Sequence, residues 1–254
     1  MKSQFSEFTY GYTLVEELSR TFGFRSVPTF PSLIDEGRDG GGYDVGLNID
    51  GLPFFLQFKR TDFLSRANAS HYTTFRGSYY RFNLHAQRHS KQHELLLHLE
   101  NSGNPVFYVA PKFHKSVELH DNYFNSSISI NSIWIQPSSI GKLPDDDEHS
   151  ICFNKSESHV YFCSEPRPIY REMRFKRDSV SEYVKQFKSR AGYSRYHKET
   201  WSEIYNQLEY ICRMHDPAVY NKLSRFLASE NNFIVKTAKL SRLAFGADML
   251  LYRY

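Results

Sequence analysis

The apolar positions of the chain switch between two periods, and the switches divide it into elements. Leu14, Val15, Leu18 and Phe22 recur at helical spacing. They predict a helix over 13–22 with Thr13 as its cap, Glu16 in capping-box position and Gly23 as its stop. Over 40–59 the period falls to two. Leu52, Phe54, Leu56 and Phe58 share one face, and the turn-forming pair Asp50-Gly51 joins them to a run containing Val45, Leu47 and Ile49. The expected hairpin sets Ile49 opposite Leu52, Leu47 opposite Phe54, Val45 opposite Leu56 and Asp44 opposite Gln57. Phe55, on the same face as Gln57, marks the second strand as covered on both sides.

Helical spacing returns over 85–99, where Leu95, Leu96 and Leu99 are apolar and Gln87, Lys91 and Gln92 polar. Gly103 and Pro105 end it, and 106–110 reads as a short buried strand. Farther along, 127–135 and 159–163 read as strands, Pro166 and Pro168 mark a junction, and 180–188, 201–214, 218–228 and 233–245 read as helices. The whole is an α/β protein: a core over 1–115, then an accessory, substrate-recognition region over 116–254 that passes from α+β to mainly helical after 178.

Chemistry enters through the hairpin. Directly opposed residues hold their Cβ atoms roughly 4.5–5.5 Å apart, and the period of two sets Lys59 on the face of Gln57. An acid, an amide oxygen and an ammonium therefore converge at one end of the hairpin. On the first helix, Glu17 borders the apolar stripe while Glu16 lies nearly opposite it, so Glu17 is the acid that reaches inward.

Asp44 followed by Gln57-Phe58-Lys59 resembles the signature of the PD-(D/E)xK nucleases, the restriction-endonuclease-like superfamily, with Gln57 where Asp or Glu is usual. The resemblance spans about 10–112. It implies a restriction-endonuclease-like α/β sandwich with a mixed central sheet, and hydrolysis of DNA phosphodiesters with Mg²⁺ or Mn²⁺. In that scheme Asp44 is the main metal ligand, Gln57 a second and Glu17 a direct or outer one, while Lys59 offsets the charge that grows in the transition state. The helix after the lysine strand often lends a polar residue in this superfamily; Gln87, Lys91 and Gln92 are the positions available, and Gln92 is chosen. By analogy, a small chain with this core suits restriction or bacterial defence against phage.

Composition sharpens the picture in one segment. Overall charge is a mild +4, but between Lys59 and His93 seven Lys or Arg face the single acid Asp62, interleaved with Tyr, Phe and four His. That mixture suits a phosphate backbone and its bases, and names Arg60, Arg66, Arg76, Arg81, Arg88, Lys91 and Gln92 as nucleic-acid contacts. A second basic stretch over 165–198 extends the same surface.

The acidic turn 35–42 matches no phosphate loop, and His89 and His93 have no Glu between them in the metalloprotease arrangement. Cys152, Cys163 and Cys212 lack zinc-site spacing and are expected as buried free thiols. No apolar run is long enough to span a bilayer, so a soluble, cytoplasmic protein without membrane contact is expected. Two alternatives share the fold: a nucleic-acid-binding module without cleavage, and a subunit whose C-terminal helices dock on a partner protein or a second copy.

Overall fold

A computed structural model describes residues 1–26, 51–170, 182–183, 185 and 200–252. Two sheets carry the architecture. The strands are β1 (Phe24–Ser26), β2 (Leu52–Phe58), β3 (Asp62–Leu64), β4 (Tyr79–Leu84), β5 (Val106–Pro111), β6 (Ser132–Ile135), β7 (His149–Phe153), β8 (Val160–Phe162), β9 (Arg167–Pro168) and β10 (Asp248–Tyr252). The first sheet runs β1-β10-β2-β5-β6 and the second β3-β4-β7-β8-β9. In the first, β2 and β5 are parallel and every other pair is antiparallel, which makes the sheet mixed. A parallel pair needs a crossover, and the chain supplies the second sheet's first strands and the helix α3 (Gln92–Asn101) between β2 and β5.

The two faces of β2 sort the core. Phe54, Leu56 and Phe58 pack with Phe107, Val109 and Leu250 against Tyr10, Leu14 and Leu18 of helix α1 (Glu7–Phe22). Phe55, with Tyr108 and Ile135, faces Phe82 and Phe153 of the second sheet and the leucines of α3. The remaining helices are α2 (Tyr72–Phe75), α4 (Ser116–Phe124), α5 (Pro137–Ile140), α6 (Thr200–His215), α7 (Pro217–Ala228) and α8 (Phe233–Leu240). A π turn, Ser241–Phe245, leads from α8 into β10. Among the described residues no helix is long and apolar enough to cross a membrane.

Several expectations need correction. Both edges of β2 are taken, by β10 and β5, and Tyr252, Leu250 and Asp248 stand opposite Leu52, Phe54 and Leu56. Those are the places the hairpin assigned to Ile49, Leu47 and Val45, so the pairing that set Asp44 against Gln57 loses its basis. Asp44 itself lies outside the described residues, as does the acidic turn 35–42. Gly51 is needed for close approach, since a Cβ there would meet the Tyr252 carbonyl at 3.0 Å.

Helix α1 starts earlier than its apolar stripe suggested. Ser6 caps it by accepting from the Thr9 N–H, and Thr13 is an interior residue whose hydroxyl donates to the Tyr10 carbonyl. Gly23 ends it as expected, at φ 73°. Helix α3 begins at Gln92 and not at 85, because the strand Tyr79–Leu84 is followed by a separate turn in which the Ala86 carbonyl accepts from the His89 and Ser90 N–H groups. A boundary at 115 would cut the central sheet, because β6 and β10 belong to it.

Candidate functional site

Gln57 and Lys59 lie where β2 runs out, and the fold gathers polar side chains from four other elements around them. Lys59 continues the ladder through its N–H, which donates to the Val109 carbonyl, and its side chain is turned into the protein at 5% exposure. The ammonium donates to Gln92 Oε1 at 3.2 Å and sits 5.8 Å from the centre of the Tyr108 ring. Burial lowers the Lys59 pKa from its ordinary value, and the nearby Glu7 charge works against that shift. Among the described residues no carboxylate lies within ion-pair distance of it.

Gln57 is buried beside it. Its amide nitrogen donates to the Phe58 carbonyl at 2.9 Å, while Oε1 finds no hydrogen-bond partner among the described residues. That oxygen adjoins Gly246, at φ 63°, where a Cβ would come within 2.9 Å of it and 2.0 Å of Gln92 Nε2. Only glycine meets both demands there, the left-handed backbone and the missing side chain.

A cleft of about 240 Å³ opens next to Gln57, lined also by Glu7, Gly11, Tyr12, Arg242 and Asp248. Gly11 lets α1 come this close, since a Cβ would press into the Phe58 ring at 2.6 Å. Asp248 enters the cleft from β10 and pairs with Arg242 at 2.6 Å. Burial raises its pKa, Arg242 opposes the rise and the Glu7 carboxylate adds to it. His85, exposed just past β4, has its pKa lowered first by the Lys59 charge and then by burial. His93 is fixed: Nε2 donates to the Gly141 carbonyl at 2.7 Å, which leaves Nδ1 to accept from the Tyr108 hydroxyl at 2.9 Å.

The structure therefore brings Gln57, Lys59 and Gln92 together and parts them from Glu17. Glu17 is fully buried with both oxygens engaged, accepting from the Ile128 N–H at 2.6 Å and from the Ser129 N–H and hydroxyl at 3.0 and 2.5 Å. It anchors the turn before β6 and is not a ligand in waiting. The basic contacts divide as well. Arg60, Arg66 and Arg76 are exposed and carry no ion pair among the described residues. Arg81 pairs with Asp62 at 3.2 Å, Arg88 with Asp147 at 2.6 Å and Lys91 with Glu94 at 3.8 Å.

Glu7, His85, Arg242 and Asp248 were missed by sequence reasoning. Tyr10, in helical register with Leu14 and Leu18, was a signal for the longer helix that carries Glu7. Asp248 had no local signal, because its strand is known only through its partners. Groups of three His, Cys, Asp or Glu that could hold a metal occur elsewhere among the described residues, as His71, Cys152 and Cys163, and as Glu94, His98 and His215. No protein-family model, no curated protein and no solved structure matches the chain.

Proposed function

We propose that the chain is a metal-dependent nuclease acting on DNA, with its reaction centre at the end of β2. The observation that carries this is the Gln57 carbonyl oxygen, buried without a hydrogen-bond partner among the described residues, on a residue that lines a cleft together with two carboxylates. An orphaned buried acceptor costs about 1–3 kcal/mol, so it calls for a donor or a cation. A hard cation takes such oxygens, and Gln57, Asp248 and Glu7 fit Mg²⁺ or Mn²⁺ as a donor set; Asp44 completes it in the resemblance to PD-(D/E)xK nucleases. When bound, the ion supplies Lewis-acid stabilisation of phosphoryl charge and a more acidic water.

The chain's own groups do the rest. Lys59 sets its amine in a poorly solvated place, where in its protonated form it counts most against negative charge growing on a phosphate. Gln92 orients that ammonium through its Oε1. Tyr12, 60% exposed at the cleft, presents a face on which bases can stack, and the exposed Arg60, Arg66 and Arg76 can meet phosphates.

A second reading is favoured by the Arg242–Asp248 pair, which already satisfies one acid of the cleft: a DNA-binding module on the same fold that does not cleave. Incubating the chain with plasmid, linear duplex and single-stranded DNA decides between them. Cleavage that requires Mg²⁺ or Mn²⁺ and stops with chelator supports the nuclease; binding without cleavage supports the module. Gln57→Leu, which removes the oxygen, should abolish cleavage, and Gln57→Glu should keep it or raise it at low Mg²⁺. An active Gln57→Leu protein would remove Gln57 from the site.

A further inference from the structure

The second sheet has an outer face as well as the face that enters the core. Cys152 of β7 stands opposite Tyr161 of β8, and Cys163 follows two residues on, its N–H donating to the Ser150 carbonyl at 2.8 Å. Residues two apart on a strand share a face, so the two cysteines are diagonal neighbours on the outside of the sheet. They are nonetheless buried, because residues 65–78 leave β3, form α2 and return over them to β4. What holds that excursion down is small: Phe75, Tyr79, Cys152 and Cys163 are the buried members of the cluster beneath it.

His71 comes from the excursion itself. It stands at the N-cap of α2 but makes no capping bond with its side chain. Its imidazole meets the cysteines instead, so that one ligand atom from each of His71, Cys152 and Cys163 lies within 4.8 Å of the others. Metal–sulfur bonds of about 2.3 Å in a tetrahedron set sulfurs roughly 3.8 Å apart, so a small closure completes the geometry.

We propose that His71, Cys152 and Cys163 bind Zn²⁺ and that the ion staples the 65–78 excursion to the second sheet. Two thiols and an imidazole are a soft donor set, which selects zinc over the hard cations suited to the cleft at Gln57. Binding releases two thiol protons to solvent, forms two Zn–S bonds and one Zn–N bond, and leaves a fourth position for water. The two thiolates neutralise the ion, and the Arg81 charge across from Cys152 is already paired with Asp62. The Cys spacing hid this site from sequence reasoning, because its ligands come from a loop and two strands far apart in the chain. It uses no residue of the proposed nuclease centre, so each can fail alone.

Cobalt(II) titration of the reduced full chain tests it. The expected result is a sulfur-to-cobalt absorption in the near ultraviolet that saturates at one ion per chain and is bleached by Zn²⁺. Cys152→Ser with Cys163→Ser should lose the band, and His71→Ala should keep it with at least tenfold weaker binding. The cluster of Glu94, His98 and His215 cannot mimic the signal, having no sulfur. Two results overturn the proposal: a folded wild-type chain with no such band, or a band that survives both serine substitutions and therefore arises at Cys212. Should the double variant fail to fold, limited proteolysis of wild type decides: zinc must protect the 65–78 segment and chelator must expose it, and equal cleavage in both refutes the staple.

Discussion

Two lysines end neighbouring parallel strands, and they are treated in opposite ways. Lys112, at the end of β5, donates to the Ile130 carbonyl at 2.8 Å and closes a buried ion pair with Glu157. Lys59, at the end of β2, is as deeply buried but has only a neutral amide, Gln92, within hydrogen-bond reach among the described residues. A charge taken from water without an opposite charge is an expense to the fold. Lys112 thus reads as part of the scaffold, whereas Lys59 is buried with no opposite charge beside it among the described residues, and that burial lowers its pKa. The Gln57 oxygen beside it, buried without a hydrogen-bond partner among the described residues, is a second unmatched polar group at the end of the same strand.

Exchanging each lysine for methionine breaks the comparison most directly. Lys112→Met removes the cation from its ion pair with the largely buried Glu157 carboxylate and should cost up to about 3–5 kcal/mol, read by chemical denaturation. Lys59→Met should leave stability unchanged or higher and reduce metal-dependent cleavage by roughly 10²–10³-fold. Equal losses of stability in the two variants would show that Lys59 is scaffold too.

Glu17 sharpens the contrast from the other side, as an acid whose every bond is structural. Glu17→Gln points an amide at N–H groups that need an acceptor, and should destabilise by about 1–3 kcal/mol while cleavage per folded molecule is kept. Loss of cleavage in a fully folded Glu17→Gln protein would return this acid to the reaction centre.

The lowered Lys59 pKa gives a smaller, signed effect. Between the folded pKa and the ordinary lysine value the unfolded chain binds the extra proton, so stability rises with pH through that window. The penalty is fully present below the folded pKa and is relieved as pH approaches the ordinary value of 10.5. Lys59→Met has no such group. Its advantage in melting temperature over wild type should therefore be largest below the folded pKa and shrink as pH rises toward the ordinary lysine value; a gap independent of pH would contradict an unmatched ammonium.

The smallest change concerns the basic segment. Replacing Arg60, Arg66 and Arg76 together should flatten the dependence of log affinity for DNA on log salt by about one unit for each phosphate that is no longer neutralised. The same treatment of Arg81 and Arg88 should alter the slope less, because Asp62 and Asp147 already hold them. Identical slopes in both sets would mean that this segment faces away from DNA.

Elements written in local patterns were legible in the sequence. The stop of α1 at Gly23, the covered strand around Phe55, the strand ending at Pro111 and the helices from 200 to 240 follow from periodicity and caps, which depend on neighbours in the chain. The convergence of Gln57, Lys59 and Gln92 was legible for the same reason: one strand and the helix after it carry all three. Strand partners were not. A strand's hydrogen bonds can be met by any segment of matching length, and β10, nearly two hundred residues away, took the edge that the Asp50-Gly51 turn promised to its near neighbour. With that exchange Asp248 and Arg242 came to Gln57, Glu17 went to the turn at Ile128, and two cysteines and a histidine with no common spacing met on the second sheet. The sequence by itself determined which segments could be helices and strands and which side chains carry chemistry. Only the tertiary structure decided which of them share a site, because that choice rests on long-range pairing and burial that no local stretch encodes.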